Sequence, residues 1–180
     1  YDKLVIATGA DPVKPPIEGI DLEGVYYMRT PNDAIAVREV VETDNIKRAV
    51  VVGGGFIGLE VAENLHEMGV KTTLVEAMDH IMPGFDDEVC SYVEDELIEN
   101  GIMVLTGERL ISIEGDNKVK KVRTDKRAMK ADMIVMAVGI RANTKIASDC
   151  GLELETNKTI KVNEYMQTND EDIYAVGDCV

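Results

Sequence analysis

Three glycines at a fixed spacing are the residues of this sequence best suited to binding a ligand. Gly53, Gly55 and Gly58 lie in the segment GGGFIG and match the pattern GxGxxG. The first glycine of this pattern permits a tight turn, the second lets the backbone approach a pyrophosphate, and the third lets a helix pack close to a strand. The phosphates would lie at the helix N-terminus, where free N–H groups and the helix dipole attract anions. The segment predicts a dinucleotide site.

The segments on either side supply the context that this pattern requires. The run AVVV (49–52) is β-branched and continuous, which is typical of a strand buried on both faces of a parallel sheet. A helix should follow the glycines and end at Gly69, with these residues facing inward: Val61, Ala62, Leu65 and Met68. The next strand, TTLVE (72–76), ends on an acid, Glu76, eighteen residues after Gly58. Strand, glycine turn, helix, strand and acid together favour dinucleotide binding over a purely structural turn.

Glu76 also bears on which dinucleotide would bind. Its carboxylate could accept hydrogen bonds from both ribose hydroxyls of NAD, whereas the 2′-phosphate of NADP would meet like charge at ~5 Å. That repulsion amounts to about 3 kcal/mol per unit charge at an effective dielectric near 20. The next residues, Ala77, Met78 and Asp79, supply no cation to offset it. The sequence therefore predicts NAD(H), with a strand-end carboxylate of no binding role as the alternative.

The remaining patterns indicate an α/β fold. A helix capped by Thr30 with Pro31 at its first position is expected to end near Asp44 or Asn45, and another is expected over about 87–99 with Asp86 as N-cap. The inward stripes of these two helices are predicted as Ala34, Val37, Val40 and Val41, and as Val89, Val93 and Leu97. Strands are expected at 102–107 and 133–139, with an antiparallel β-meander between them. We expect a Rossmann-like parallel sheet with helices on both faces and this meander inserted.

Composition excludes several other classes of function. The 180 residues carry a formal net charge of −15, which disfavours nucleic acid and anionic membranes as partners. A stretch with six basic residues, 118–127, is interpreted as a solvated hairpin edge. No apolar run is long enough for a transmembrane helix. Cys90, Cys150 and Cys179 form no CxxC pair, so no metal site is predicted, and reduced thiols in the cytoplasm are expected.

Four spaced motifs resemble the pyridine nucleotide–disulfide oxidoreductases, which are flavoproteins with an NAD domain inserted into an FAD domain. The motifs are Ala7-Thr8-Gly9 with a Pro-rich link, GGGFIGLE (53–60), AVG (137–139) with GIRANT, and the segment from Thr168 to Asp178 that closes with DIYAVGD. Among the branches of this family, the residues of these motifs are most similar to those of the coenzyme A–disulfide reductases, NADH oxidases and NADH peroxidases. Dihydrolipoamide dehydrogenase and NADH–rubredoxin or ferredoxin reductases are neighbouring readings.

The resemblance implies roles for individual residues. Thr8, Gly9 and Asp178 would contact FAD, with Asp178 at the ribityl chain. On the NAD side the implied contacts continue past the glycines: Phe56, Ile57, Glu60, Val138 and Gly139. Phe56 replaces a Tyr common at this place and keeps its stacking face but loses the hydroxyl. Ala142 stands where the family usually has Pro.

The resemblance also implies how the chain is divided and what it does. We expect residues 1–46 to be a trailing piece of the FAD domain with a connector helix, 47–141 the NAD(H)-binding domain, and 142–180 a return into the FAD domain. The parent enzyme would pass hydride from NADH to FAD and on to a disulfide, thiol or oxygen-type acceptor, and would dimerise through a domain beyond Val180.

No catalytic residue is assigned in this chain, because none of the three cysteines matches the redox position of the family. We expect the chain alone to bind no flavin and to be inactive as a reductase. Two alternatives from other classes are a non-catalytic NAD(H)-sensing module and an adenosyl-methionine enzyme. The VGD element argues against the first, and the complete glycine pattern argues against the second.

Overall fold

The chain forms four helices and twelve strands, and the computed structural model describes all residues from 1 to 180. The helices are α1 (Pro31–Thr43), α2 (Phe56–Glu67), α3 (Asp87–Glu99) and α4 (Lys145–Asp149). The strands are β1 (Leu4–Ile6), β2 (Ala10–Pro12), β3 (Val25–Tyr27), β4 (Arg48–Val52), β5 (Lys71–Val75), β6 (Met103–Leu105), β7 (Leu110–Gly115), β8 (Val119–Thr124), β9 (Ala128–Lys130), β10 (Met133–Met136), β11 (Ile140–Ala142) and β12 (Ile173–Ala175). By contact, residues 13–139 form one compact unit, and residues 1–12 with 140–180 form another.

The larger unit is built on a five-stranded parallel sheet in the order β3-β10-β4-β5-β6. The central strand β4 pairs with β10 on one side and β5 on the other, with Val52 opposite both Met136 and Val75. These three strands therefore end together at one edge, which is where ligands bind in open parallel sheets. The predicted mixed α/β class with a parallel sheet and antiparallel strands is confirmed.

The two faces of this sheet are covered by different kinds of structure. Alternate residues of β4, Ala49 and Val51, pack in a cluster with residues of α1, α2 and α3. Val50 and Val52 pack on the opposite face with the meander, whose strands follow the order β7-β8-β9. The expectation of helices on both faces is therefore wrong for this unit, because the meander supplies the second layer. Either layer can bury an apolar sheet face, so the apolar run AVVV does not distinguish them.

The helices follow their predicted bounds, but three side chains predicted to face inward are exposed, and the first of them is Ala34 of α1. Val61, Ala62 and Leu65 of α2 are buried, but Met68 is 40% exposed just past the helix end. On α3, Val89 is exposed, and Cys90 is fully buried in its place. Cys90 packs in the core cluster with residues of α1 and α2. Asp86 is the N-cap residue of α3, although its side chain makes no capping hydrogen bond.

Helix α1 begins with the predicted cap. The Thr30 hydroxyl accepts a hydrogen bond from the Asp33 N–H, and the Asp33 carboxylate accepts one from the Thr30 N–H, with Pro31 at the first position. Val37 is buried, and Val40 and Val41 are partly buried against the same core. The reciprocal bonds occupy two of the N–H groups that every helix start leaves unpaired.

The smaller unit has its own core and two short strand pairs. β1 pairs in parallel with β12, and β2 pairs antiparallel with β11. Ile6, Ala147, Ile160 and Ala175 are among the residues buried in its core. Residues 13–46, grouped with residues 1–12 in the sequence analysis, lie in the larger unit. The assignment of the pieces to FAD and NAD domains stays a prediction.

The basic stretch 118–127 is mostly neutralised by nearby acids. Lys118 pairs with Asp44 and Glu23, Lys120 with Asp116, and both Lys121 and Arg123 with Glu114. These contacts fit the interpretation as a charged hairpin edge. None of the four helices has the length and apolar character needed to span a bilayer.

Candidate functional site

The glycine turn after β4 has the shape that the sequence pattern requires. Gly53 has φ +110°, and a Cβ there would lie 2.3 Å from the carbonyl oxygen of Ala137. A Cβ on Gly58 would lie 1.8 Å from the carbonyl oxygen of Gly53, so α2 approaches the turn as closely as backbone allows. Gly55 differs, because a Cβ there would meet no atom within 4 Å. The protein leaves open space at Gly55 alone among these three.

Gly55 is also the N-cap of α2, and no side chain caps that helix. The N–H groups of its first turn therefore have no side-chain acceptor within the protein. Unpaired N–H groups at a helix start, together with the positive end of its dipole, favour an anion. The open space and the unpaired donors coincide at Gly55.

Glu76 lies directly beside this turn. It is 9% exposed, and its Oε2 accepts a hydrogen bond from Gly54 N at 2.5 Å while its Oε1 accepts one from Met78 N at 2.7 Å. A carboxylate has about four acceptor sites, so both oxygens retain capacity for a further donor. The acid predicted at the end of the second strand is thus joined to the glycine turn by a hydrogen bond.

Sequence analysis missed the loop 77–86, which closes over the turn. Ile81 is fully buried against Gly54, and the Met82 N–H donates to the Gly54 carbonyl at 2.8 Å. Phe85 meets Phe56 edge-to-face with ring centroids 5.6 Å apart. The signal available in the sequence was the apolar content of this Pro-Gly-containing segment, since a solvated loop has no need of Ile, Met and Phe.

The first turns of α2 present the predicted side chains to solvent. Phe56 is 66% exposed, and Ile57 and Glu60 are also exposed. All three line a cavity of about 860 Å³ whose other lining residues include Met28 and, from α1, Arg38. Gly53, Gly55 and Glu76 do not line this cavity, which extends along α2 as far as Met68. The Glu60 carboxylate accepts only a long hydrogen bond from Asn64 Nδ2, at 3.4 Å.

Val138 and Gly139 follow β10, the neighbour of β4. The residue before them, Ala137, donates its N–H to Val52 and places its carbonyl against Gly53. Val138 is 38% exposed, and Gly139 is exposed as well. Both residues thus lie at the same sheet edge as the glycine turn.

Within the smaller unit, the other predicted residues are brought together. Thr8 and Gly9 follow β1, Asp178 follows β12, and these two strands run parallel with Ile6 opposite Ala175. The Thr8 hydroxyl donates to the Asn143 carbonyl at 2.5 Å, and the Gly9 carbonyl accepts from the Asn143 N–H. The three residues therefore stand at the carboxyl ends of adjacent parallel strands, and Asn143 orders the first two. No group of three His, Cys, Asp or Glu side chains is placed to hold a metal ion.

Comparison with known proteins gives matches over the whole chain. The family model described as pyridine nucleotide-disulphide oxidoreductase matches residues 1–180. An NADH oxidase of Methanocaldococcus jannaschii is 42% identical over 181 residues, covering 100% of this chain and 40% of the relative. The structure of an NAD-dependent persulfide reductase from A. fulgidus has a TM-score of 0.95 and 43% identity, covering 99% of this chain and 34% of that one. The chain thus spans well under half the length of these proteins.

A third comparison concerns an engineered protein. It is a water-forming NADPH oxidase bound to NADPH, obtained from a water-forming NADH oxidase of Lactobacillus brevis by five substitutions. It matches 99% of this chain with a TM-score of 0.92 and 29% identity, and this chain covers 39% of it.

Proposed function

Because this chain belongs to the pyridine nucleotide-disulphide oxidoreductase family, we propose that residues 13–139 bind NAD(H) for a flavin-dependent oxidoreductase. The proposal rests on three features that occur together at Gly55. The space beside this residue is open, the helix that begins there has no side-chain cap, and the neighbouring Gly54 N–H donates to the buried Glu76. A pyrophosphate against the first turn of α2 would then place the adenosine ribose toward Glu76.

The remaining predicted residues would hold the other half of the dinucleotide. The ring of Phe56, backed by Phe85, offers an apolar face for the nicotinamide, with Ile57 beside it. Glu60 lies one turn further along α2 and lines the same cavity. Val138 and Gly139 would pass along the nicotinamide ribose at the end of β10. These residues bind and orient the cofactor, and none of them is assigned a proton-transfer step.

The smaller unit has features that suit FAD in the full-length parent. Thr8, Gly9 and Asp178 stand at the carboxyl ends of two parallel strands, which is the sheet edge where dinucleotides bind. When both cofactors are bound, reduced nicotinamide supplies hydride to the flavin, and the parent passes electrons to a disulfide, thiol or oxygen-type acceptor. In that reaction this chain would bind the cofactors and orient them.

The engineered NADPH oxidase supports Glu76 as the residue that selects between the two dinucleotides. Its substitutions replace a Gly, an Asp eighteen residues later, the Ala and Met directly after that Asp, and a Pro seven residues after it. This chain has Gly58, Glu76, Ala77, Met78 and Pro83 at the same spacing. The change there removes the acid and introduces two Arg residues, so charge at this place accompanies the use of NADPH.

Location and partners can also be proposed from the sequence. We propose a cytoplasmic location because all three cysteines are unpaired, although Cys150 is exposed. The family resemblance leads us to propose that the parent is a homodimer. We also propose that this chain binds neither nucleic acid nor membrane, in keeping with the net charge of −15.

Calorimetric titration of this chain with NADH and NADPH tests the proposal. We expect NADH to bind and NADPH to bind at least about tenfold more weakly, the equivalent of ~1.4 kcal/mol, because its 2′-phosphate meets Glu76. Equal affinities would refute the role of Glu76. Absence of binding by either nucleotide would refute the site itself.

A further inference from the structure

A second, smaller cavity lies between the parallel sheet and the outer strand of the meander. Its volume is about 210 Å³, and its polar lining consists of Arg48, Lys71, Thr73, Arg127 and Lys130. We call this cavity, with those five residues, the basic slot. Arg48 and Lys71 are paired residues at the first positions of β4 and β5, and Lys130 is the last residue of β9. No acidic side chain lines the slot, although the chain as a whole has a net charge of −15.

The cations of the basic slot are only partly neutralised. Arg127 pairs with the buried Glu108, at 2.6 Å between NH2 and Oε1. The guanidinium of Arg48 reaches Asp132 only at 3.4 Å. Lys71 and Lys130 have no carboxylate oxygen within 4.0 Å of their ammonium groups. The four cationic side chains of the slot therefore have only two carboxylate partners, and neither carboxylate lines the cavity.

One nitrogen of the Arg48 side chain has no hydrogen-bond acceptor within the protein. The Nε of Arg48 is buried and makes no hydrogen bond. A buried donor without an acceptor is costly, and almost all buried polar groups in proteins are paired. A guanidinium also has a planar set of donors that matches an oxyanion. The two lysines without a carboxylate partner, together with the guanidinium groups of Arg48 and Arg127, make the lining of the slot suited to an anion.

We propose that the basic slot binds a small phosphate-type oxyanion. Arg and Lys donors with the Thr73 hydroxyl are the groups that hold phosphoryl oxygens. The volume of about 210 Å³ is below the ~300 Å³ at which pockets for larger organic ligands begin. The slot therefore accepts one phosphoryl group, either free or at the end of a longer molecule that remains outside.

This site is separate from the nucleotide crevice. Arg48 and Lys71 begin β4 and β5, whereas Gly53 and Glu76 directly follow the ends of the same five-residue strands. At ~3.3 Å per residue the two ends are about 15 Å apart. An anion in the slot would join the starts of two sheet strands to β9, and it does not compete with a dinucleotide at the other edge.

Titration with inorganic phosphate at constant ionic strength tests the proposal, with saturating NADH present to fill the crevice. The test variant is Lys71→Gln/Lys130→Gln. The matched control is Lys120→Gln/Lys161→Gln, which removes the same charge from two exposed lysines that pair with Asp116 and Glu153. We expect saturable binding to the wild type, affinity at least tenfold weaker in the test variant, and no change in the control.

Further measurements separate the possible sources of the signal. AMP that competes with phosphate would identify the terminal phosphate of a nucleotide as the ligand, and AMP that does not compete would identify free phosphate. No saturable binding, or equal loss in both double variants, would overturn the proposal. Phosphate binding that is seen only when NADH is omitted would also overturn it, because the signal would then come from the glycine turn. If NADH does not bind at all, the proposed function fails, and the comparison of the two double variants still decides the slot.

Discussion

At the scale of single residues, Glu76 has two tasks. Its two oxygens accept hydrogen bonds from Gly54 N and Met78 N, which joins the end of β5 to the glycine turn. Because each oxygen retains acceptor capacity, the same carboxylate can receive ribose hydroxyls. The side chain that we propose selects the dinucleotide is therefore also part of the structure that shapes the turn.

Replacing Glu76 by Gln should affect both tasks. An amide has one acceptor oxygen, so its NH2 group must face one of the two backbone N–H donors. We expect the free energy of unfolding to fall by about 1–3 kcal/mol, the cost of a buried donor left unpaired, and NADH affinity to fall with it. Urea unfolding and calorimetry measure the two effects.

Glu63→Gln is the matched control for this substitution, because it removes the same charge from an exposed position of α2. The control should leave stability and NADH affinity unchanged. A Glu76→Gln protein as stable as the wild type would show that the two backbone bonds contribute nothing to the turn.

At the scale of elements, the capping box of α1 gives a pH-dependent contribution to stability. The pKa of Asp33 lies below its ordinary value of 3.8, chiefly because its carboxylate accepts the backbone N–H of Thr30 and also the Thr30 hydroxyl. A depressed pKa in the folded state means that the contribution is present above the unfolded pKa and is lost as pH falls through the folded one. The window is therefore below about pH 4.

We expect Thr30→Ala to lower the free energy of unfolding by about 1 kcal/mol at pH 7, the usual cost of losing a threonine cap. Asp33→Asn should cost less, because the carboxylate is partly exposed and its charge is screened by solvent. The deficit of Asp33→Asn should shrink as pH falls below 3.8. Urea unfolding at several pH values measures this, with the exposed Asp95→Asn as control; a deficit independent of pH would contradict the assignment.

The elements also show what sequence reasoning can and cannot predict. The bounds of α1 and α3 were predicted to within a residue or two, because caps and glycines mark them locally. The meander was not predicted as the layer that covers Val50 and Val52. An apolar sheet face indicates that it is buried, but it does not indicate whether helices or strands bury it. The loop 77–86 was missed as part of the site because its contacts to Gly54 and Phe56 join residues distant in sequence.

At the scale of the whole molecule, the chain leaves the smaller unit after Pro12 and returns to it at Ile140. These two residues are opposite each other in the β2–β11 pair. The sequence analysis placed the entry to the larger unit at residue 47 because the glycine pattern begins near there. Residues 13–46 join the same unit through β3 and α1, which pair and pack with it. Such long-range pairing leaves no mark in local composition.

Gly55 and Gly58 differ in what a substitution at each position would reveal. A Cβ at Gly58 would collide with the Gly53 carbonyl, so a change at this position disturbs the packing of α2 whether or not a ligand binds. At Gly55 the φ is −78°, which any residue adopts, and the space is open. A methyl group at Gly55 would therefore contact no protein atom, and it would contact only a ligand bound in that space.

Calorimetric titration of Gly55→Ala with NADH is therefore the most direct test that this turn binds a dinucleotide. We expect the variant to unfold within about 1 kcal/mol of the wild type, since the substitution causes no clash and reduces only unfolded-state freedom. We expect its NADH affinity to fall at least about tenfold, or ~1.4 kcal/mol, because the methyl group holds the pyrophosphate away from the helix start. A stable Gly55→Ala protein that binds NADH as tightly as the wild type would contradict the account.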